Sequence, residues 1–204
     1  HGKILGLTTK TFLPNYGEFY ELRHFTPGNA EVEDVWVPEE GEDGDYIYFG
    51  TNLLFTCEEL TGLAVAAEIC EDVWVLNPPS IAHASAGATV IVNCSASDEV
   101  TGKSEYRRSL ISGQSARLLC AYIYANAGEG ESSQDLVFGG QNIIAENGNI
   151  LSESARFENQ TIYADIDLER LECERRRMTT YRTDVSKPYM EVGFHLKKED
   201  FLSQ

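Results

Sequence analysis

The stretch LAVAAEICEDVW, residues 63–74, decides how the rest of the chain is read. Its opening, LAVAAEI, is an apolar run interrupted only by Glu68, of a length that suits a buried strand. Cys70 stands at the end of that run, and Glu71 and Asp72 follow at once. A thiol that is to react needs positive neighbours, and this one has carboxylates on both sides. Either it is inert, or its cation comes from elsewhere in the chain. A tight turn into EDVW pushes the sulfur outward and faces it with the following backbone N–H groups, in the manner of a nucleophile elbow. Such a turn favours the thiolate and supplies an oxyanion hole.

Upstream, residues 4–8 read as a strand that runs into KTFLPNYGEFYELRHF. Pro14, Asn15 and Gly17 make that stretch irregular, and its aromatics suggest a packed loop. PEEGEDGDY (38–46) reads as a solvated acidic tip. IYF and TNLLFTCEE are further short strands. Downstream, Asn77-Pro78-Pro79 breaks the chain, and SIAHASAGA reads as a helix with Pro79 at its start. ATVIVNCSAS is a buried strand running into a polar loop, 103–119 a helix, and CAYIYANAG a strand. GEGESSQD is a loop, and QNIIAENGNILSE is a hairpin turning at Asn147-Gly148. QTIYADID is expected to be a strand. Asp167 is placed to cap LERLECERRR, whose arginines suit a helix C-terminus. Residues 181–204 read as a polar tail or linker, separate from a domain over 1–180. Strands alternating with helices and then a hairpin make this an α/β chain, with chemistry expected at the carboxyl ends of the strands. Lys10, Cys70 and the CSAS of 94–97 all follow strand ends, so one rim holds all of them.

The composition narrows the function. The chain has 204 residues, enough for one core. It carries 16 basic and 33 acidic residues, a net charge of −17, which argues against nucleic acid or an anionic membrane as partner. The five cysteines are widely spaced with no C-x-x-C, so neither a disulfide framework nor a zinc site is expected, and a reducing cytoplasm is the simpler setting. No apolar run reaches the roughly 20 residues that span a bilayer. The chain opens on His1, directly on a strand, and reads as an internal piece of a longer protein.

Taken singly, the candidate residues have ordinary explanations. A cysteine is most often a buried structural thiol, the reading preferred for Cys57, Cys94, Cys120 and Cys173. Glu71 and Asp72 suit a helix N-terminus, Tyr16 a core, Ser97 a cap, and Lys10 and Lys103 a solvated surface. A Cys–His pairing is poorly supported, because His83 reads as an ordinary helix residue.

The combination reads differently. KTFLPNYGEFYELRHF, EICEDVW, CSASDEVTGKSEYRR and DLERLECERRRM, in this order over most of residues 3–180, resemble the nitrilase or carbon–nitrogen hydrolase superfamily. More narrowly, they are similar to the glutaminase domains of glutamine-dependent NAD synthetases. The resemblance implies an α-β-β-α sandwich, incomplete here in its first strand–helix unit, and a Glu–Lys–Cys triad. It places the nucleophile at Cys70 and the lysine at Lys10, so the missing cation comes from the loop after the first strand. It assigns Tyr16, Glu71, Ser97 and Lys103 to the glutamine site. An acid suits the substrate's ammonium, and a hydroxyl with an ammonium suits its carboxylate. Glu18 or Glu21 supplies a second carboxylate beside Lys10. The triad glutamate is expected ahead of His1 and has no match in these residues.

The implied activity is hydrolysis of glutamine to supply ammonia to a synthetase domain, which amidates deamido-NAD using ATP and Mg, in a homo-oligomer. No SGG-x-D-S loop occurs in this chain, so it holds neither a metal site nor a site for ATP. The alternatives are a free-standing nitrilase-superfamily amidase and a non-catalytic scaffold of the same fold. A sheet lacking its first strand also predicts an exposed edge and a tendency to associate.

Overall fold

The computed structural model describes residues 3–38, 44–131, 135–183 and 188–197. Its strands are β1 (Gly6–Thr8), β2 (Glu33–Val37), β3 (Asp45–Gly50), β4 (Leu53–Cys57), β5 (Ala64–Ile69), β6 (Val90–Ser95), β7 (Ala121–Asn126), β8 (Ile143–Glu146), β9 (Asn149–Glu153) and β10 (Met190–Phe194). Its helices are α1 (Pro79–Ser85), α2 (Lys103–Leu118) and α3 (Leu168–Arg177). The strands form a three-stranded sheet ordered β1-β3-β2 and a seven-stranded sheet ordered β10-β4-β5-β6-β7-β8-β9. This is the α/β class expected, with parallel and antiparallel pairs in both sheets.

Strand alternation decides what each face of the larger sheet buries. Ala66, Ile91 and Tyr122 point to one face and pack with Ala84 of α1 and Ile111 and Leu118 of α2. Val65, Val90, Val92, Ala121 and Ile123 point to the other, where Leu168 and Leu171 of α3 lie. Both faces being covered, β5, β6 and β7 read as nearly continuous apolar runs. Those three strands are parallel neighbours, so their carboxyl ends share one rim.

Local signals account for the ends of several elements. Pro79 opens α1. The Asp167 side chain accepts the Arg170 N–H at 2.9 Å and caps α3. Asn147 (φ 44°) and Gly148 (φ 85°) both adopt the left-handed conformation that a two-residue hairpin turn requires.

Three expectations are corrected. Residues 161–167 alternate between exposed and half-buried, and Ile166 packs beside α3, but among the described residues no strand pairs with them. The stretch expected as a tail contains β10, which lies parallel to β4 from Met190↔Leu53 to Phe194↔Cys57. Its short sequence carries little signal, and its partner lies more than a hundred residues away. The 10–25 loop keeps edge-to-face ring contacts, Tyr16 with Phe19 and Phe25 with His24, but Tyr16 and Phe25 are largely exposed, and backbone hydrogen bonds around a 3-10 turn at Glu21–Arg23 order it as well. Most of the acidic tip, 39–43, lies outside the described residues, as do 132–134 of the GEGESSQD loop.

Candidate active site

The site is built on the turn that ends β5. Cys70 has φ 49°, a left-handed conformation that costs a non-glycine residue about 1–3 kcal/mol unless its surroundings hold it. The turn continues as a single 3-10 turn, Cys70–Val73. Two buried side chains hold it. Asn93, on the neighbouring strand β6, accepts the Cys70 N–H at 3.0 Å, and its amide donates to Tyr122 Oη at 3.2 Å. Asp72, fully buried, accepts the Ile69 N–H at 2.9 Å.

Asp72 also explains how the loop that carries the distant lysine is brought to the turn that carries the cysteine. Its Oδ1 accepts the backbone N–H of Phe12 at 2.8 Å and of Thr11 at 3.1 Å. One carboxylate therefore ties the loop after β1 to the turn after β5. Burial raises the Asp72 pKa, and the backbone donors and Lys10 oppose that rise. The sequence does not single out Asn93, and it offers Asp72 only as an acid suited to a helix N-terminus; Asp72 does accept an N–H at the turn, and its tie to the loop after β1 is added by the fold.

The flanking acids thus separate into three environments. Glu68 faces inward and is 1% exposed. It accepts the Ser80 N–H at 2.8 Å and the Tyr122 hydroxyl, and burial raises its pKa to about 7. Asp72 faces inward and fastens the loop. Glu71 faces outward, where its Oε1 accepts the Tyr16 hydroxyl at 2.7 Å. Desolvation first, and then that bond, raise the Tyr16 pKa.

Cys70 borders two cavities. One, of about 510 Å³, is lined by Tyr16, Glu71, Ser97 and Lys103 together with Glu18, Phe19, Trp74 and Tyr106. All four residues expected at a glutamine site are therefore brought to the same space as the cysteine. The other, of about 730 Å³, is lined by Lys10, Glu21, Cys94 and Ser95. The choice between Glu18 and Glu21 is resolved by geometry. Glu21 Oε2 lies 2.5 Å from Lys10 Nζ, whereas Glu18 lines the smaller cavity.

Two of the pocket residues are engaged by the protein itself. The Lys103 ammonium pairs with Asp98 and sits 5.5 Å from the centroid of the Trp74 ring and 5.9 Å from that of Phe19. The Ser97 hydroxyl accepts from Arg107 Nη2 at 3.2 Å. Arg107, on α2, is fully buried. It also donates to Glu99 at 2.6 Å, Gln141 at 2.5 Å and the Asp98 carbonyl at 3.0 Å, and so shapes the 97–99 loop. Within KSEYRRSL nothing separates this buried arginine from the exposed Arg108 next to it except helical phase. His83 is fully buried, its Nδ1 2.7 Å from Tyr189 Oη, and burial lowers its pKa to about 4. It lines neither cavity. Among the described residues no group of three or more metal-ligating side chains clusters, and no helix is long and apolar enough to cross a membrane.

The profile of the carbon–nitrogen hydrolase family matches residues 1–176. The chain belongs to that family. Among its relatives is a glutamine-dependent NAD(+) synthetase of Mycobacterium tuberculosis, 44% identical over 202 residues. The match covers 98% of this chain and 29% of the relative. A human protein of the same name is 28% identical over 214 residues, covering 98% of this chain and 30% of its own. The chain thus spans less than a third of the length of these relatives. Among solved structures, a glutamine-dependent NAD(+) synthetase from Cytophaga hutchinsonii superposes with a TM-score of 0.60 at 30% identity, over 74% of this chain and 23% of that one. A carbon-nitrogen hydrolase from Helicobacter pylori superposes with a TM-score of 0.59 at 20% identity, over 89% and 61%, and shares the fold.

Proposed function

We propose that this chain is the glutamine-hydrolysing part of a glutamine-dependent NAD synthetase. The observation that carries the reading is the shared cavity: Cys70, Glu71, Tyr16, Ser97 and Lys103 line one space large enough to admit an amino acid, in a chain whose relatives bear that name. In this reading Glu71 holds the substrate's α-ammonium, with Tyr16 fixing the carboxylate. Lys103 and Ser97 face its α-carboxylate, and glutamine competes with Asp98 for the Lys103 ammonium.

Cys70 attacks the side-chain amide carbon, forming the S–C bond. Lys10 and the backbone N–H after Cys70 stabilise the oxyanion, and Glu21 orients Lys10. The C–N bond then breaks and ammonia leaves with a proton taken from the thiol. Water cleaves the γ-glutamyl thioester, releasing glutamate and restoring the thiol. The resemblance gives the general base in both steps to a glutamate unmatched in these residues, with Glu21 already committed to Lys10. Amidation of deamido-NAD with ATP and Mg belongs, in this proposal, to a synthetase domain outside this chain. A cytoplasmic setting and a homo-oligomer are further parts of the proposal, the first supported by five cysteines that are all free thiols.

The test is ammonia release from glutamine by the complete protein, wild type against Cys70→Ala, with and without ATP and deamido-NAD. Hydrolysis that disappears in the variant and is stimulated by the synthetase substrates supports the proposal. A wild type that leaves glutamine intact ends it, and a screen of other amides then separates an amidase from a silent scaffold.

A further inference from the structure

Cys70 has a second thiol beside it. β5 and β6 are parallel, and Ile69 is paired with Cys94, so Cys94 stands one residue out of register from Cys70. In continuous strands that offset turns two side chains to opposite faces; Cys70 leaves the strand at its left-handed φ of 49°, so alternation does not hold its side chain away from Cys94. A disulfide needs the two Cα atoms about 4.4–6.8 Å apart and the Cβ atoms facing each other. Both residues line the larger cavity, and both are free thiols. Cys94 is exposed and Cys70 half-buried, so a small oxidant reaches either one.

The other three cysteines do not offer this. Cys57 and Cys120 are buried, and burial pushes the Cys120 thiol up to about 12. Cys173 is exposed on α3 and lines neither cavity at Cys70.

We propose that Cys94 is a resolving thiol for Cys70, which makes the pair a reversible oxidation site for peroxides. The proposal rests on Cys70 being the reactive cysteine, but not on which amide it cleaves. The Cys70 thiolate attacks one oxygen of a peroxide, the O–O bond breaks, and hydroxide or alkoxide leaves. The sulfur is oxidised by two electrons to a sulfenic acid and the peroxide is reduced. The Cys94 thiolate then attacks the Cys70 sulfur. The S–S bond forms, the S–O bond breaks, and the departing hydroxide takes up a proton to leave as water. A dithiol reductant returns both thiols. While the bridge stands, the Cys70 sulfur cannot attack a substrate, nor can it proceed to the irreversible sulfinic acid. A transient bridge of this kind is compatible with a reducing compartment.

The experiment treats the complete protein with hydrogen peroxide, blocks free thiols by alkylation, and maps the cysteine peptides by mass. The expected result is a Cys70–Cys94 cross-link, two hydrogens lighter than the separate peptides, which dithiothreitol reverses. Cys94→Ser lacks the cross-link and accumulates Cys70 sulfinic acid that dithiothreitol does not reverse. Cys173→Ser retains the wild-type behaviour. The proposal is overturned if Cys70 reaches the sulfinic acid equally in wild type and Cys94→Ser, or if a sulfenic acid is trapped without any cross-link. A Cys70 inert to peroxide also overturns it. Glutamine hydrolysis by the reduced protein, measured alongside, shows whether the proposed function falls with it.

Discussion

The turn at Cys70 has two sides built on opposite principles. On its inner side three polar side chains are spent on the protein: Asp72 on three backbone donors, Asn93 on the Cys70 N–H, Glu68 on Ser80 and Tyr122. On its outer side Glu71 and Tyr16 bind each other at the edge of an open cavity, and Tyr16 is 60% exposed. The same residue type, a carboxylate within two positions of one cysteine, is structural on one side and available on the other. Burial makes the difference. A buried carboxylate must find donors or accept a proton, so its partners are fixed when the chain folds. An exposed one exchanges partners with water at little cost, and so can exchange them with a ligand.

If the inner side is structural, breaking it costs stability first. Arg107→Met, which leaves the buried Glu99 side chain with only the longer pairing to Arg156 at 3.7 Å and frees the 97–99 loop, is expected to lower unfolding free energy the most, by about 4 kcal/mol. Asp72→Ala strands the N–H groups of Ile69, Thr11 and Phe12 and is expected to cost about 3 kcal/mol. Urea midpoints check both. A shift under about 0.5 kcal/mol in either variant, the range of an ordinary surface substitution, breaks the comparison.

The pH dependence sharpens it. The folded-state pKa of Glu68 is about 7 against an ordinary 4.5, so the native state binds its proton more tightly, and stability falls as pH rises through that window. His83 runs the other way. Its pKa is about 4 against 6.5, so the native state disfavours the proton, and stability rises over its window. The two slopes oppose each other between pH 4.5 and 6.5. Glu68→Gln removes one of them and is expected to unmask a rise of about 1.4 kcal/mol per pH unit from His83. Denaturant titrations at about pH 5 and about pH 6 read that slope. An unchanged pH profile in the variant means that Glu68 does not hold its proton in the folded protein.

The smallest change in stability is expected on the outer side. Glu71→Gln removes the charge from one exposed bond to Tyr16 but keeps an acceptor there, and is expected to move the urea midpoint by under about 0.5 kcal/mol. If Glu71 meets the substrate's ammonium, the same variant raises the KM for glutamine by roughly tenfold or more, the worth of a charged hydrogen bond. A large stability loss with an unchanged KM would place Glu71 with the inner group.

The sequence by itself determined the local elements: the apolar runs of β5, β6 and β7, the proline at the start of α1, the Asn-Gly hairpin and the Asp167 cap. It also determined the family, through four motifs in order, and with it named Cys70, Lys10 and the four cavity residues as candidates. These are legible because period, turn chemistry and motif spacing are written over a few adjacent residues. Only the tertiary structure decided which of three nearby acids faces the cavity, that Glu21 rather than Glu18 meets Lys10, and that Arg107 rather than Arg108 is buried. It alone showed β10 pairing with β4, the 160–167 segment lying outside the described strands of both sheets, and Cys94 paired with the residue before Cys70. Each of these depends on a contact between residues far apart in the chain, or on a helical phase set by packing. Such contacts form only once the core has excluded water, and no short window of sequence records them.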